Sequence, residues 1–217
     1  MENKDIKNIP IVLQVLFPNT KTFLKYNKDY ELLFAIILSA QATDESVNKA
    51  TEVLFKEYPT LNSFLEAKYN DVYKIIKPVG LSKNKTDFIL KTARILVEKY
   101  NGVIPKNREE LQTLPGVGFK TSGVFLGELY DEPYFPVDTH VLRVSTRLGL
   151  VKKDISPKDC ELKLEKIYKG YHLIHLHRQF ILFGRNICLS KNPRCLSCPF
   201  ADFCKYNKEI TKKFASK

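Results

Sequence analysis

Four of the five cysteines, Cys188, Cys195, Cys198 and Cys204, fall within 17 residues in the pattern C-x6-C-x2-C-x5-C. Cysteines this close in a chain without secretory features read as ligands for a tetrahedral zinc ion or an iron–sulfur cluster, not as disulfide partners. Spacing leaves the two open. Zinc modules more often carry two C-x2-C pairs, whereas here three ligands gather around one such pair and the fourth precedes it by seven residues. The spacer LSKNPR sets Lys191 and Arg194 on a loop pinned at both ends. Fixed cations of that kind suit phosphate contact, and ordinary solvated side chains are the competing reading.

A second constellation is Leu114-Pro115-Gly116-Val117-Gly118-Phe119-Lys120-Thr121, flanked by helical patterns at Arg108–Thr113 and Phe119–Tyr130. Gly116 and Gly118 permit a tight hairpin between the helices and let backbone N–H groups approach an anion. A glycine pair between helices is by itself also an ordinary turn. Lys120 falls in the first turn of the second helix, where the helix dipole disfavours positive charge. A neutral lysine amine is a nucleophile able to form a Schiff base, and a solvated surface lysine is the alternative. Asp138 follows a proline-rich break and precedes the helical run Thr139–Leu148, so it reads as an N-cap. A capping carboxylate can also stabilise a developing cation or take a proton.

The elements that must position these groups are helical nearly throughout. Over Ser82–Tyr100, Ile89, Ala93, Leu96, Val97 and Tyr100 form one apolar stripe, with Ser82 as the expected N-cap and Asn101-Gly102 as the stop. Glu31–Ala40 is apolar nearly all round and is expected to be central. Asp44 is expected to cap a helix over Glu45–Tyr58, Thr60 the short one after Pro59, and Ser156 a helix with Pro157 at its first position. Leu173–Ile187 reads as a helix running straight into Cys188. The segment Asp131–Val137, DEPYFPV, carries two prolines in seven residues and marks a domain boundary or cleft edge. The fold class is all-α.

Composition agrees. Of 217 residues 44% are hydrophobic, which excludes global disorder. The longest near-pure apolar run, Leu32–Leu38, is far short of the roughly 20 residues of a membrane span. The mixed-charge N-terminus argues against a secretory signal, so a reducing intracellular compartment is expected. A net charge of +11 suggests a polyanionic partner. The last 33 residues hold eight basic and two acidic residues, so more than half the surplus lies around the cysteines. Cys160 reads as a small buried residue.

The stretch LPGVGFKTSGV, followed by VDTHVLRV and then the cysteine pattern, resembles the endonuclease III family of helix-hairpin-helix DNA glycosylases. The segments LLFAIILSAQATDESVNKAT and IKPVGLSKNK extend the resemblance over about residues 28–207. It implies a two-lobed all-α fold, with a six-helix domain over 22–132. The cluster domain would be built from 1–21 and 133–217, its four cysteines holding a [4Fe-4S] cluster in the loop 188–204. DNA would lie across a cleft between the lobes. The implied activity is excision of damaged pyrimidines from duplex DNA, then cleavage 3′ to the abasic site by β-elimination. Lys120 matches the family's Schiff-base lysine and Asp138 its catalytic aspartate. Gln41 matches the residue that fills the gap left by the flipped base, and Leu81 a residue wedged into the opposite strand. Gly116 and Gly118 would hold phosphate through their amides, and Lys191 and Arg194 would meet the DNA backbone. A monomer is implied, in the cytoplasm and on the nucleoid if the source is bacterial.

Two departures stand out. Many members of the family have Arg where this chain has Phe119, and Thr-Ala-Asn where it has Thr121-Ser122-Gly123. An adenine-specific mismatch glycosylase of the same superfamily is disfavoured by Lys120 and by the LSAQATD segment, since that branch usually lacks the lysine and reads LQQT-like there. A non-catalytic DNA-binding module with a structural metal would leave Lys120 and Asp138 unexplained.

Overall fold

The structure is a computed structural model that describes residues 3–215. Among the described residues it is all-helical, with short 3₁₀ turns and no strand. The chain divides into two compact units, one of residues 22–130 and one of residues 1–21 with 131–217.

The first unit is built around α2 (Asp29–Ser39), whose residues Tyr30 to Leu38 are all buried. Its apolar surface all round is what a central helix needs. Around it stand α3 (Asp44–Glu57), α4 (Tyr69–Ile76), α5 (Ser82–Tyr100), α6 (Arg108–Leu111) and α7 (Phe119–Tyr130). The α5 stripe buries Ile89, Ala93 and Leu96. That helix stops where Asn101 turns left-handed, and the Gly102 amide donates back to Leu96. Tyr30, Phe34 and Phe64 pack edge to face in the core. Two expected caps are corrected. Thr43, not Asp44, caps α3, accepting the Ser46 amide at 3.2 Å. Asp44 instead takes the first turn, where its charge complements the dipole. Ser82 is the first helical residue of α5, and Leu81 holds the cap position with φ 48° and no side-chain bond.

The second unit comprises α1 (Asn3–Leu16), α8 (Thr139–Leu148), α9 (Pro157–Ile167), α10 (Leu173–Asn186) and α11 (Lys205–Ala215). Here α10 packs on α8 and α1. Gly184 lets the first pair approach closely, since a Cβ there would stand 3.0 Å from that of His140. A polar network ties α1 to α10. His175 meets Thr20 at 2.8 Å and Gln14 at 3.0 Å, and Gln179 donates to Gln14 at 2.9 Å. No helix among the described residues is long and apolar enough to cross a membrane.

Candidate functional site

The hairpin over 114–118 joins α6 to α7, and its two glycines serve different ends. Gly116 has φ +79°, and a Cβ there would meet Phe88 at 2.8 Å and Ile37 at 3.0 Å. Backbone conformation and close packing both demand glycine at that point. Gly118 is exposed, needs no positive φ, and a Cβ there would meet nothing within 4 Å. No internal packing accounts for a glycine there. The hairpin surface at Gly118 is therefore open and exposed.

Lys120 stands exposed in the first turn of α7. The backbone beneath it is held by Arg108, which sequence reasoning missed. Arg108 is buried, donates to the Phe119 carbonyl at 2.6 Å and to the Ser122 hydroxyl at 3.4 Å, and lays its guanidinium 3.5 Å from the centre of the Phe119 ring. The aromatic residue beside Lys120 is thus a stacking platform for an internal cation. Ser122, the other departure, accepts from Arg108 and donates to the Phe119 carbonyl at 2.9 Å. A signal was available: Arg108 opens α6 at the dipole end where a cation is disfavoured, so another partner must hold it.

Gln41 and Leu81 lie in the same unit as Lys120, each exposed at a helix junction of α2 or α5. Both have left-handed backbones, φ 54° and 48°, and Leu81 is 56% exposed.

Asp138 belongs to the second unit. It caps α8 as expected, accepting the Val141 amide at 2.8 Å. The same helix carries two further residues that the sequence did not single out. Arg143 donates to the carbonyls of Cys188 at 3.0 Å and Gly184 at 2.9 Å. Arg147 donates to the carbonyls of Leu189 at 2.6 Å and Ser190 at 3.0 Å, and reaches Cys188 Sγ at 3.5 Å. One helix therefore carries Asp138 at its start and clasps the cysteine loop farther along.

Cys188, Cys195, Cys198 and Cys204 line one cavity together with Phe183, Arg147 and Tyr206. Among the described residues no three His, Cys, Asp or Glu side chains are grouped so as to hold a single ion. Burial pushes the Cys198 thiol up to about 11, opposed by a bond from the Phe200 backbone. Burial raises Cys204 too, against bonds from the Asn207 and Tyr206 backbone. Lys191 and Arg194 are both exposed on the loop between the first two cysteines, which is pinned by the Arg194 amide donating to Ile187 at 3.0 Å. Cys160 lies apart, fully buried.

Residues 34–169 match the model of the HhH-GPD superfamily base excision DNA repair proteins. Endonuclease III of Haemophilus influenzae is 42% identical over 194 residues, spanning 89% of this chain and 91% of its own. A non-covalent endonuclease III–DNA complex superposes with TM-score 0.92 at 36% identity, covering 98% of this chain and 99% of that one. A trapped endonuclease III–DNA covalent intermediate matches equally well, TM-score 0.92 at 36% identity over 97% and 99%. The hairpin with its lysine, the all-helical fold and these likenesses agree: the chain belongs to the HhH-GPD superfamily of base excision DNA repair proteins, as a DNA glycosylase and AP lyase of the endonuclease III kind.

Proposed function

We propose that the chain removes damaged pyrimidines from duplex DNA and cleaves the strand 3′ to the abasic site through a Schiff base on Lys120. The observation that carries this is Lys120 itself, exposed on the first turn of α7 directly after a hairpin whose Gly118 opens onto free space. A base stacked inside a duplex is out of reach, so it must be extruded, at a cost of a few kcal/mol that is least for damaged pairs. Gln41 would fill the gap and Leu81 would wedge the opposite strand, offsetting lost stacking. The amine of Lys120 attacks the anomeric carbon of the sugar. The glycosidic bond breaks, and the base leaves with its electron pair and takes a proton. Asp138 stabilises the cationic sugar and passes protons between the reacting groups. The sugar's C1′–O4′ bond then opens, with O4′ taking a proton, which leaves a protonated Schiff base that acidifies the neighbouring sugar proton. Its removal expels the 3′ phosphate, and water then frees the lysine. Gly116 and Gly118 would hold phosphate through backbone amides, with Lys191 and Arg194 on the DNA backbone.

The four cysteines fit a [4Fe-4S] cluster. All four thiols line one cavity, and four cysteine thiolates are the donor set such a cluster takes. The backbone donors on Cys198 and Cys204 suit cluster sulfurs. The cluster would hold the loop that carries Lys191 and Arg194. The unit of residues 1–21 and 131–217 is then the cluster domain, and the protein acts as a cytoplasmic monomer on double-stranded DNA.

The test is a duplex carrying one oxidised pyrimidine. Release of the free base and a 3′ nick are expected from the native protein, both lost in Lys120→Ala. Base release that persists in that variant would show that Lys120 is not the nucleophile. Broad visible absorbance with about four irons per chain is expected, and a colourless zinc protein would rule out the cluster.

A further inference from the structure

Among the described residues, five that are not glycine have positive φ: Gln41, Leu81, Asn101, Asp131 and Asn192. Asn and Asp tolerate the left-handed region because their short polar side chains bond locally. Gln41 and Leu81 are not of that kind, so the surrounding structure must hold them there.

One buried ammonium grips the chain beside both. Lys85 is 3% exposed, and its Nζ donates to the Ala40 carbonyl at 2.7 Å and to the Val79 carbonyl at 3.4 Å. Ala40 stands directly before Gln41 and caps α2, so the cation also meets the negative end of that helix. Val79 ends the short turn two residues before Leu81. The backbone amide of Lys85 donates to the Leu81 carbonyl at 3.1 Å. A buried charge is costly unless its donors are used. Here backbone carbonyls from both loops accept from it, so the arrangement is satisfied only when both loops are in place.

We propose that Lys85 is a positioning residue that locks the Gln41 and Leu81 loops into one two-pronged wedge of fixed spacing. The proposal rests on the reading of Gln41 as the gap filler and Leu81 as the opposite-strand wedge. A wedge ordered before binding spares the complex the entropy of ordering two loops while it extrudes a base. It also sets both prongs against the duplex together, where small misplacements are expensive.

The test compares two rates in each variant. One is single-turnover excision of a damaged pyrimidine from duplex DNA. The other is cleavage at an abasic site in single-stranded DNA, which has no opposite strand to wedge and no base to extrude. In Lys85→Met, which keeps the apolar stem and removes the donors, the duplex-to-single-strand ratio is expected to fall by about tenfold or more. Lys85→Arg, which keeps charge and donors, is expected to recover most of that ratio. A ratio near wild type in Lys85→Met, or an Arg variant no better than Met, would overturn the proposal. If Lys85→Met does not fold, Lys85→Gln is put through the same pair of assays with the same expectations. Gln41→Ala and Leu81→Ala run alongside. If neither slows duplex excision, the reading of the two prongs is wrong. If both slow it and the Lys85 variants do not, only the lock is wrong.

Discussion

At the residue scale, the two hairpin glycines differ in packing, Gly116 being tightly enclosed and Gly118 open. Gly116→Ala is expected to destabilise the protein by about 1–3 kcal/mol, because its Cβ meets Phe88 and Ile37 on a left-handed backbone. Gly118→Ala, with open space around the new methyl, is expected to melt like the native protein while binding duplex about tenfold more weakly, as the methyl crowds a phosphate off the hairpin. Melting curves and duplex titrations check both, and a Gly118→Ala variant with native affinity would move the phosphate contact elsewhere. Asp138→Asn should keep the α8 cap, since Asn caps as well as Asp, and so keep stability and DNA affinity. Turnover should still drop by about 10²–10⁴-fold for loss of a proton-transfer group. A large loss of affinity would contradict that assignment. Asp138 was legible because a cap is a local device, fixed by three or four consecutive residues. Arg108 was not, because its partners Phe119 and Ser122 lie across a turn that only the folded hairpin brings round. The misread caps at Asp44 and Ser82 have the same origin. Neighbouring residues compete for the cap position, and tertiary placement of the loop decides.

At the element scale, α8 connects Asp138 to the cysteine loop through Arg143 and Arg147, and α10 holds α1 through His175. Helix existence was legible from periodicity, and α5 and α7 start and end where their patterns do. The arginine clasp was not, because all but one of its acceptors are backbone carbonyls, which carry no residue signature. The α1–α10 network predicts a pH effect. Burial lowers the His175 pKa below the usual 6.5, helped by Arg178 and His172. A depressed histidine contributes stability that is present above its unfolded value and is lost as pH falls through the folded one. Melting temperature is therefore expected to fall below about pH 6.5, and His175→Gln should flatten part of that fall. Thermal melts of both proteins from pH 8 to 5 check this, and parallel curves would remove His175 from the account.

At the scale of the whole molecule, the +11 charge acquires an address. Lys191 and Arg194 stand exposed on a loop pinned by its own backbone and clasped from α8. Replacing either with Ala should weaken binding to all duplex sequences alike and make the salt dependence shallower by about one phosphate each. Titrations across a salt series give the slope directly, and an unchanged slope would mean these side chains only face solvent. Composition could exclude a membrane span and suggest a polyanion, but it could not pick Lys120 out of 35 basic residues. That needed the hairpin beside it. In the proposed mechanism this one amine becomes covalently bound to the sugar. Borohydride reduction of the native protein on abasic duplex DNA, followed by digestion and mass mapping of the adduct, tests it most directly. A reduced sugar adduct on the peptide containing Lys120 is expected. An adduct on any other amine, or none from protein that cleaves the strand, would contradict it.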